Sequence, residues 1–490
     1  MKRNPQEPSK FDPVAEDDVS TASSGHRRLF TRAVEHACDF RDRLADRPPR
    51  PVMSPGDLQA LLDGPTPEVG EDPLTVIDAL SAAADPGLAG SAGSRFFGWV
   101  IGASDPVGVA ADILTSAWGQ NAGAYATSPA AAMAEKVAAR WLLDMLRLPR
   151  ECSVGFVTGA TMASFVCLAA ARSAVLARVG WDVEAEGLAD APRVRVFLGA
   201  DVHVTILAAL RYLGFGERAV RIPTDSEGSM DATALAAALN EGQGPAIVIT
   251  QAGQLNTGAF DPMPAIIRTC RQHGTWVHVD GAFGLWARAV PEMANLTAGI
   301  EDADSWSTDG HKWLQLPYDS GFAIVRDSQA HRRAMSVTAS YLPVVDAAEY
   351  DPGKFVPELS RRARGFAAWA QLRTLGRHGV SEMVRHHCAL ARRVATRLSA
   401  ERGVRVLNSV HLNQVIVSFG DGALDERNAL TRATIARLQA DNICLAGGAD
   451  WHGHWVLRLS LISSPLTETD ADRLAAAILS AWRYVQREQS

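Results

Sequence analysis

Two rhythms of apolar and polar positions alternate along this chain. After Ser128-Pro129, a serine that suits a helix cap and a proline that suits the first turn, Val137, Trp141, Leu142, Met145 and Leu146 recur at helical spacing. Short apolar runs then alternate with helical stretches. The runs 154–158, 194–198, 246–250, 276–279, 305–307 and 321–325 predict strands, and 161–179, 204–213, 232–240 and 264–273 predict helices. Such alternation implies an α/β architecture with a large, mainly parallel sheet flanked by helices. Before it, 1–25 is polar and expected to be a mobile tail. One helix is expected around 29–44 and a second near 74–84, and the Gly-, Ala- and aromatic-rich stretch 94–127 suggests a lining loop. Beyond about 360 come helical patterns at 361–375, 380–400 and 468–488, with strands at 415–419 and 455–461, which reads as a smaller C-terminal α+β domain. The expected division is 1–90, 91–375 and 376–490.

Composition narrows the classes. The 490 residues are 47% hydrophobic and 21% charged, an ordinary globular balance, with room for two or three domains. A formal charge of −7 and no basic run argue against a general nucleic-acid binder. No signal peptide or membrane span is expected, because the first residues lead into no apolar stretch and the run after Ala160 is interrupted by Arg172. Six scattered cysteines without a Cys-x-x-Cys pair indicate neither a metal site nor a disulfide framework, and fit reduced thiols in a cytoplasm. Only five lysines occur: Lys2, Lys10, Lys136, Lys312 and Lys354.

In a parallel α/β sheet, ligands sit beyond the carboxyl ends of the strands, so those residues carry the candidate chemistry. Gly159-Ala160-Thr161 follows the first strand and opens a helix, which makes it either a phosphate site or a tight turn capped by Thr161. Asp280 ends a strand, where a carboxylate either caps a loop or partners a cation such as a protonated ring nitrogen. Lys312, in Ser307-Thr308-Asp309-Gly310-His311-Lys312-Trp313, is either a solvated loop lysine or an amine able to form a Schiff base. Asp201-Val202-His203 and Ser340-Tyr341-Leu342-Pro343 each supply a residue that, alone, reads as structural. Together, in chain order at successive strand ends, they describe pyridoxal phosphate chemistry. Trp451-His452-Gly453-His454-Trp455 reads as a strand or turn, with too few ligands for a metal; His386-His387 reads as solvated or capped.

From about 94 to 467 the chain resembles the group II pyridoxal-phosphate-dependent amino-acid decarboxylases. The motifs are Asp280, His311-Lys312-Trp313, and Ser360-Arg361-Arg362 before a helix containing Trp369. The resemblance implies an aspartate-aminotransferase-like fold (fold type I), pyridoxal 5'-phosphate as cofactor, an L-amino-acid substrate, and a homodimer. Lys312 would carry the cofactor, Asp280 hold its ring nitrogen protonated, His203 stack on the ring and Ala282 pack on the other face. Gly159, Ala160 and Thr161, with Asp309 and His311 nearby, would hold the phosphate. Tyr341 matches the loop tyrosine that returns a proton to Cα; aldehyde-forming relatives typically carry phenylalanine there. Trp99, Val100, Ile101 and Gly102 match the substrate-pocket segment, with Trp118 and Gln120 beside it. The chain departs from the family at Met162, where an acidic residue is usual, at Asp309, where Asn is usual, and at Gly93-Ser94, where His-Pro is usual. The implied reaction is decarboxylation of an amino acid with a bulky or aromatic side chain to an amine. Oxidative decarboxylation-deamination, β-elimination, transamination and a non-catalytic cofactor-binding scaffold are the alternatives.

Overall fold

The computed structural model describes residues 16–51, 53–336 and 350–489. By internal contacts the chain forms two compact units, Met1–Gly90 and Ser91–Ser490.

The first unit holds α1 (Glu16–Asp42), α2 (Pro55–Leu62) and α3 (Pro73–Ala84). α1 starts well inside the stretch expected to be a tail, and α2 is a further helix, opened by Ser54, whose hydroxyl accepts the Asp57 N–H, with proline in the first turn. Asp78 of α3 ties to α1 through Arg32 and His36, both at 2.6 Å. Neither α2 nor α3 has a buried residue, and Phe30, Leu61, Leu62, Val76 and Leu80 lie exposed.

In the second unit the helices are α4 (Pro106–Trp118), α5 (Pro129–Met145), α6 (Ala160–Ala177), α7 (Val183–Glu186), α8 (Val204–Tyr212), α9 (Ala232–Asn240), α10 (Met263–Gln272), α11 (Ser328–Met335), α12 (Gly365–Ser399), α13 (Leu424–Asp441) and α14 (Glu468–Gln489). α4 occupies part of the stretch expected to be a lining loop. Asp105 caps it by accepting the Val107 N–H at 3.0 Å, Pro106 opens it and left-handed Gly119 ends it. Its small residues, read as a loop signature, instead allow close packing on α12.

The larger sheet contains β1 (Ser153–Val157), β2 (Arg195–Gly199), β3 (Val220–Ile222), β4 (Ala246–Gln251), β5 (Trp276–Asp280), β6 (Ser305–Asp309) and β7 (Gly321–Val325), in the order β1-β7-β6-β5-β4-β2-β3. β7 runs antiparallel to both its neighbours; the other pairings are parallel. Central strands β4 to β7 are buried along their whole length; β4 and β7 are mostly apolar, whereas β6 buries Ser305, Ser307, Thr308 and Asp309 around Trp306. α6 is apolar and long enough to cross a membrane, but most of it is buried, packed on β6, β7, α8 and α11. The Arg172 guanidinium in this helix donates to the Leu213 carbonyl at 2.9 Å.

The smaller sheet, β10-β11-β9-β8, is antiparallel: β8 (Val404–Val406), β9 (Gln414–Phe419), β10 (Gly447–Trp451) and β11 (His454–Ser460). The two helical patterns expected at 361–375 and 380–400 are both present, as two helical stretches of α12 that meet at a kink at Gly376 (φ 58°). Its Ala367, Leu372, Val384 and Cys388 enter the large-sheet core, and Leu390, Val394 and Leu398 enter the small-sheet core. His387, expected to be solvated or capped, is buried: its Nδ1 accepts the Trp313 indole N–H at 3.0 Å and its Nε2–H reaches the Ser463 carbonyl at 3.1 Å.

Candidate active site

Because β1, β2, β4, β5 and β6 run parallel, their carboxyl ends lie along one edge of the sheet. A cavity of about 290 Å³ opens there. Each strand end contributes: Thr158-Gly159-Ala160-Thr161, His203, Gln251, Asp280 with Ala282, and Asp309 with His311 and Lys312. Of the fourteen residues that the resemblance assigns to catalysis, the cofactor and the substrate-pocket segment, ten meet in this cavity.

β6 ends in Asp309, and a tight turn then presents Lys312. The Lys312 carbonyl accepts the Gln315 side-chain N–H at 2.9 Å, and that amide also donates to the Ile462 carbonyl at 2.7 Å. Lys312 Nζ lies 2.9 Å from Asp309 Oδ2, and Asp309 Oδ1 accepts the Ala160 N–H. Asp309 therefore caps the positive end of α6 and balances the lysine at once. His311 stacks on Tyr318 at 4.2 Å, and its Nδ1 accepts the Ser320 N–H at 3.2 Å. That fixes the tautomer, so Nε2–H faces Asp309 Oδ1 at 3.4 Å. Burial pushes the His311 imidazole below its ordinary range.

Asp280 ends β5 almost fully buried, and its Oδ1 accepts the Ala282 N–H at 3.1 Å. Burial pushes this carboxyl above the usual carboxylate range, against the opposing pull of His203 and Lys312. A carboxylate there favours a cationic partner. His203 is the cap residue of α8: its Nδ1 accepts the Thr205 N–H at 3.3 Å, and burial holds it below its ordinary range.

These groups fit pyridoxal phosphate. Gly159 leaves open a space in which a Cβ would come within 2.9 Å of His311 and 3.2 Å of Asp309, at the helix start suited to a phosphate. Gln251 Nε2, buried at the end of β4, is a donor without an acceptor among the described residues. Lysine, carboxylate and imidazole surround the same space.

Three expected pocket residues are placed elsewhere. Trp99 takes a left-handed backbone (φ 53°) and is 63% exposed, while Val100 of the same segment lines the cavity as expected. Ile101 is half-buried and outside the lining. Gly102 packs its Cα against the His311 and Lys312 carbonyls, where a Cβ would collide with both. Trp118 lines a separate apolar cleft with Leu114, Met133, Phe366 and Trp369, and Gln120 accepts the Ser128 hydroxyl. Tyr341 lies outside the described residues.

Sequence reasoning missed Gln251, though the strand-end rule that found Asp280 applies to it equally. It also missed Leu255 and Phe283, which make one wall apolar. Arg458 of β11 was missed as well. It shares a second cleft, about 210 Å³, with Trp99, Leu445 and Gly448, and its charge acts on His203. Burial pushes its guanidinium down to about 10, and that group makes no hydrogen bond or ion pair among the described residues. Arg361 of the Ser-Arg-Arg motif is structural: buried, it pairs with Glu135 at 2.7 Å and donates to the Phe156 carbonyl of β1 at 2.6 Å.

The mainly parallel sheet, the strand-end lysine and the buried aspartate define a fold type I pyridoxal-phosphate enzyme. Residues 55–419 match the pyridoxal-dependent decarboxylase conserved domain, and the chain belongs to that family. It is 26% identical over 465 residues to the aromatic-L-amino-acid decarboxylase of Bacillus atrophaeus, covering 93% of this chain and 94% of that one. It is 28% identical over 511 residues to tryptophan decarboxylase 1 of Oryza sativa subsp. japonica, covering 97% and 95%. It is also 25% identical over 483 residues to the phenylacetaldehyde synthase of Arabidopsis thaliana, covering 93% and 94%. A crystal structure of Oryza sativa TDC with PLP and tryptamine superposes with a TM-score of 0.88 at 25% identity, over 97% of this chain and 99% of that one.

Proposed function

We propose that this protein is a carboxy-lyase that uses pyridoxal phosphate to remove CO₂ from an L-amino acid with an aromatic side chain, giving the amine. The observation that carries the proposal is the meeting of Lys312, Asp280 and His203 in one cavity with a helix N-terminus.

Bound there, the cofactor supplies an electron sink for the pair left at Cα when CO₂ departs. Lys312 offers the amine that attaches it. Asp280 keeps a proton on the ring nitrogen, because its buried carboxylate gains a cationic partner by doing so. The first N–H groups of α6 would hold the phosphate, and His203 would pack on the ring. Arg458, a guanidinium without a partner among the described residues, holds the substrate's carboxylate. Val100, Leu255 and Phe283 exclude water and favour an apolar side chain. Tyr341 returns the proton to Cα. The exposed apolar residues of α1 to α3 favour a second copy of the chain as their cover, hence a homodimer, and six unpaired cysteines favour a reducing compartment such as the cytoplasm.

A screen of amino acids for CO₂ release, with mass detection of products, tests the assignment. Amine from an aromatic substrate is expected; turnover of acidic amino acids alone would overturn the substrate class. Loss of the cofactor's absorbance band in Lys312→Ala, with the fold intact, is expected; an unchanged band would remove Lys312 from its role. A second outcome, oxidative decarboxylation to an aldehyde, is kept because similar chains carry the name phenylacetaldehyde synthase. Aldehyde, ammonia and peroxide formed under air, without amine, would establish it instead.

A further inference from the structure

The stretch Trp451-His452-Gly453-His454-Trp455 contributes nothing to the lining of the cofactor cavity. It forms the turn of the β10–β11 hairpin, with Trp451 paired to His454. His452 (φ 49°) and Gly453 (φ 82°) both take left-handed backbone, a region that non-glycine residues enter at some energetic cost. From that turn His452 reaches a loop of the large sheet: its Nε2 lies 2.9 and 3.0 Å from the two carboxylate oxygens of Asp201.

Asp201 stands two residues before His203 and is gripped from two more sides. The Thr224 hydroxyl donates to its Oδ2, and the Gln254 side-chain N–H donates to its carbonyl at 3.3 Å. Gln254 itself lies between Gly253 and Leu255, both cavity residues. The neighbouring Trp451 stacks on His452 at 4.2 Å and donates its indole N–H to the Ser226 carbonyl at 3.3 Å. On the helix side, His203 is fixed by its bond to Thr205. On the strand side, the loop's own anchors are the Ala200 N–H to the Ile222 carbonyl and the Val202 N–H to the Gly199 carbonyl. Asp201 supplies the side-chain anchor there.

We propose that Asp201 and His452 are positioning residues, a charge-assisted latch through which the small-sheet hairpin sets the loop that carries His203. The proposal rests on His203 facing the cofactor, as assigned above. The pair is part-exposed, with side-chain exposures of 40% for His452 and 18% for Asp201, so it contributes little to global stability. Its effect falls on geometry, where small displacements weigh heavily on rate.

The test uses the holoenzyme with His452→Gly, which suits the left-handed backbone, Asp201→Asn, and the double variant. The readouts are kcat, KM and the circular dichroism of the bound cofactor's visible band, which reports the ring's surroundings. Each single variant is expected to alter that band and lower kcat roughly tenfold, with KM changed less than about twofold. The double variant is expected to lose no more than the worse single one, because both break the same contact. An unchanged band and kcat in His452→Gly, or losses that multiply in the double variant, would overturn the latch. His203→Gln separates the two ideas. If it leaves the band unmoved, the placement of His203 fails; if it moves the band while the latch variants do not, the latch alone fails.

Discussion

Lys312 Nζ sits 2.9 Å from Asp309 Oδ2, and the other oxygen of that carboxylate takes the Ala160 N–H that opens α6. One side chain therefore serves both the amine proposed to carry the cofactor and the helix end proposed to face its phosphate. A carboxylate beside a phosphate is repulsive, and it competes for the same donor. Asp309→Asn removes the charge and keeps an acceptor for Ala160. It is expected to tighten cofactor binding about tenfold or more, read by titrating absorbance against added pyridoxal phosphate. Weaker binding in the variant would mean that Asp309 holds the cofactor through its charge on Lys312.

Gly102 is required by space rather than by backbone freedom. A Cβ there would collide with the His311 and Lys312 carbonyls. Gly102→Ala is expected to destabilise the chain by about 1–3 kcal/mol. It should also displace Lys312, so cofactor loading falls further than the melting temperature predicts. Full loading in the alanine variant would show that the turn yields without disturbing the lysine.

Arg458 is assigned to the carboxylate that only the substrate possesses. Arg458→Met is expected to raise KM on the order of tenfold to a hundredfold. Inhibition by the product amine, which lacks a carboxylate, should stay within about twofold. Equal weakening of both ligands would place Arg458 in general pocket structure.

Three buried histidines make the fold acid-labile. Burial pushes His278 and His387 down to about 3 and His331 down to about 4, from an ordinary 6.5. Their stability contribution is complete above pH 6.5, where folded and unfolded chains are both neutral. It is lost as pH falls toward those folded values, because only the unfolded chain takes up protons. The melting temperature should therefore fall steadily from about pH 6.5 to about pH 4. His387→Gln should flatten that slope while lowering the plateau, since Trp313 keeps a shorter, poorer acceptor. An unchanged slope would locate the acid sensitivity elsewhere.

The sheet was legible mainly because β4 and β7, buried on both faces, read as short apolar runs. The strand-end rule then delivered Lys312, Asp280, His203 and the Gly159 turn. β3 escaped because two of its three residues are exposed. α4 escaped because alanine and glycine packing against another helix resemble a loop in composition. Trp99 was placed in the pocket by the match to the family's substrate segment, which cannot register a left-handed residue; of that segment, Val100 lines the cavity. Arg458 and the Asp201–His452 contact join residues from different sheets. Their partners are fixed by how the hairpin folds back, which no local periodicity encodes.

α6 bears on how the chain is made. As it leaves the ribosome it is a segment apolar enough to be mistaken for a membrane anchor, yet β6 and β7, which shelter it, are translated only from residue 305 onward. Through that interval the face of this greasy helix that β6 and β7 later cover stays open, with only partners such as α8 made earlier, a condition that invites clumping. Recombinant yield should therefore respond to slower translation and to trigger-type holdases more than to any change inside the active site.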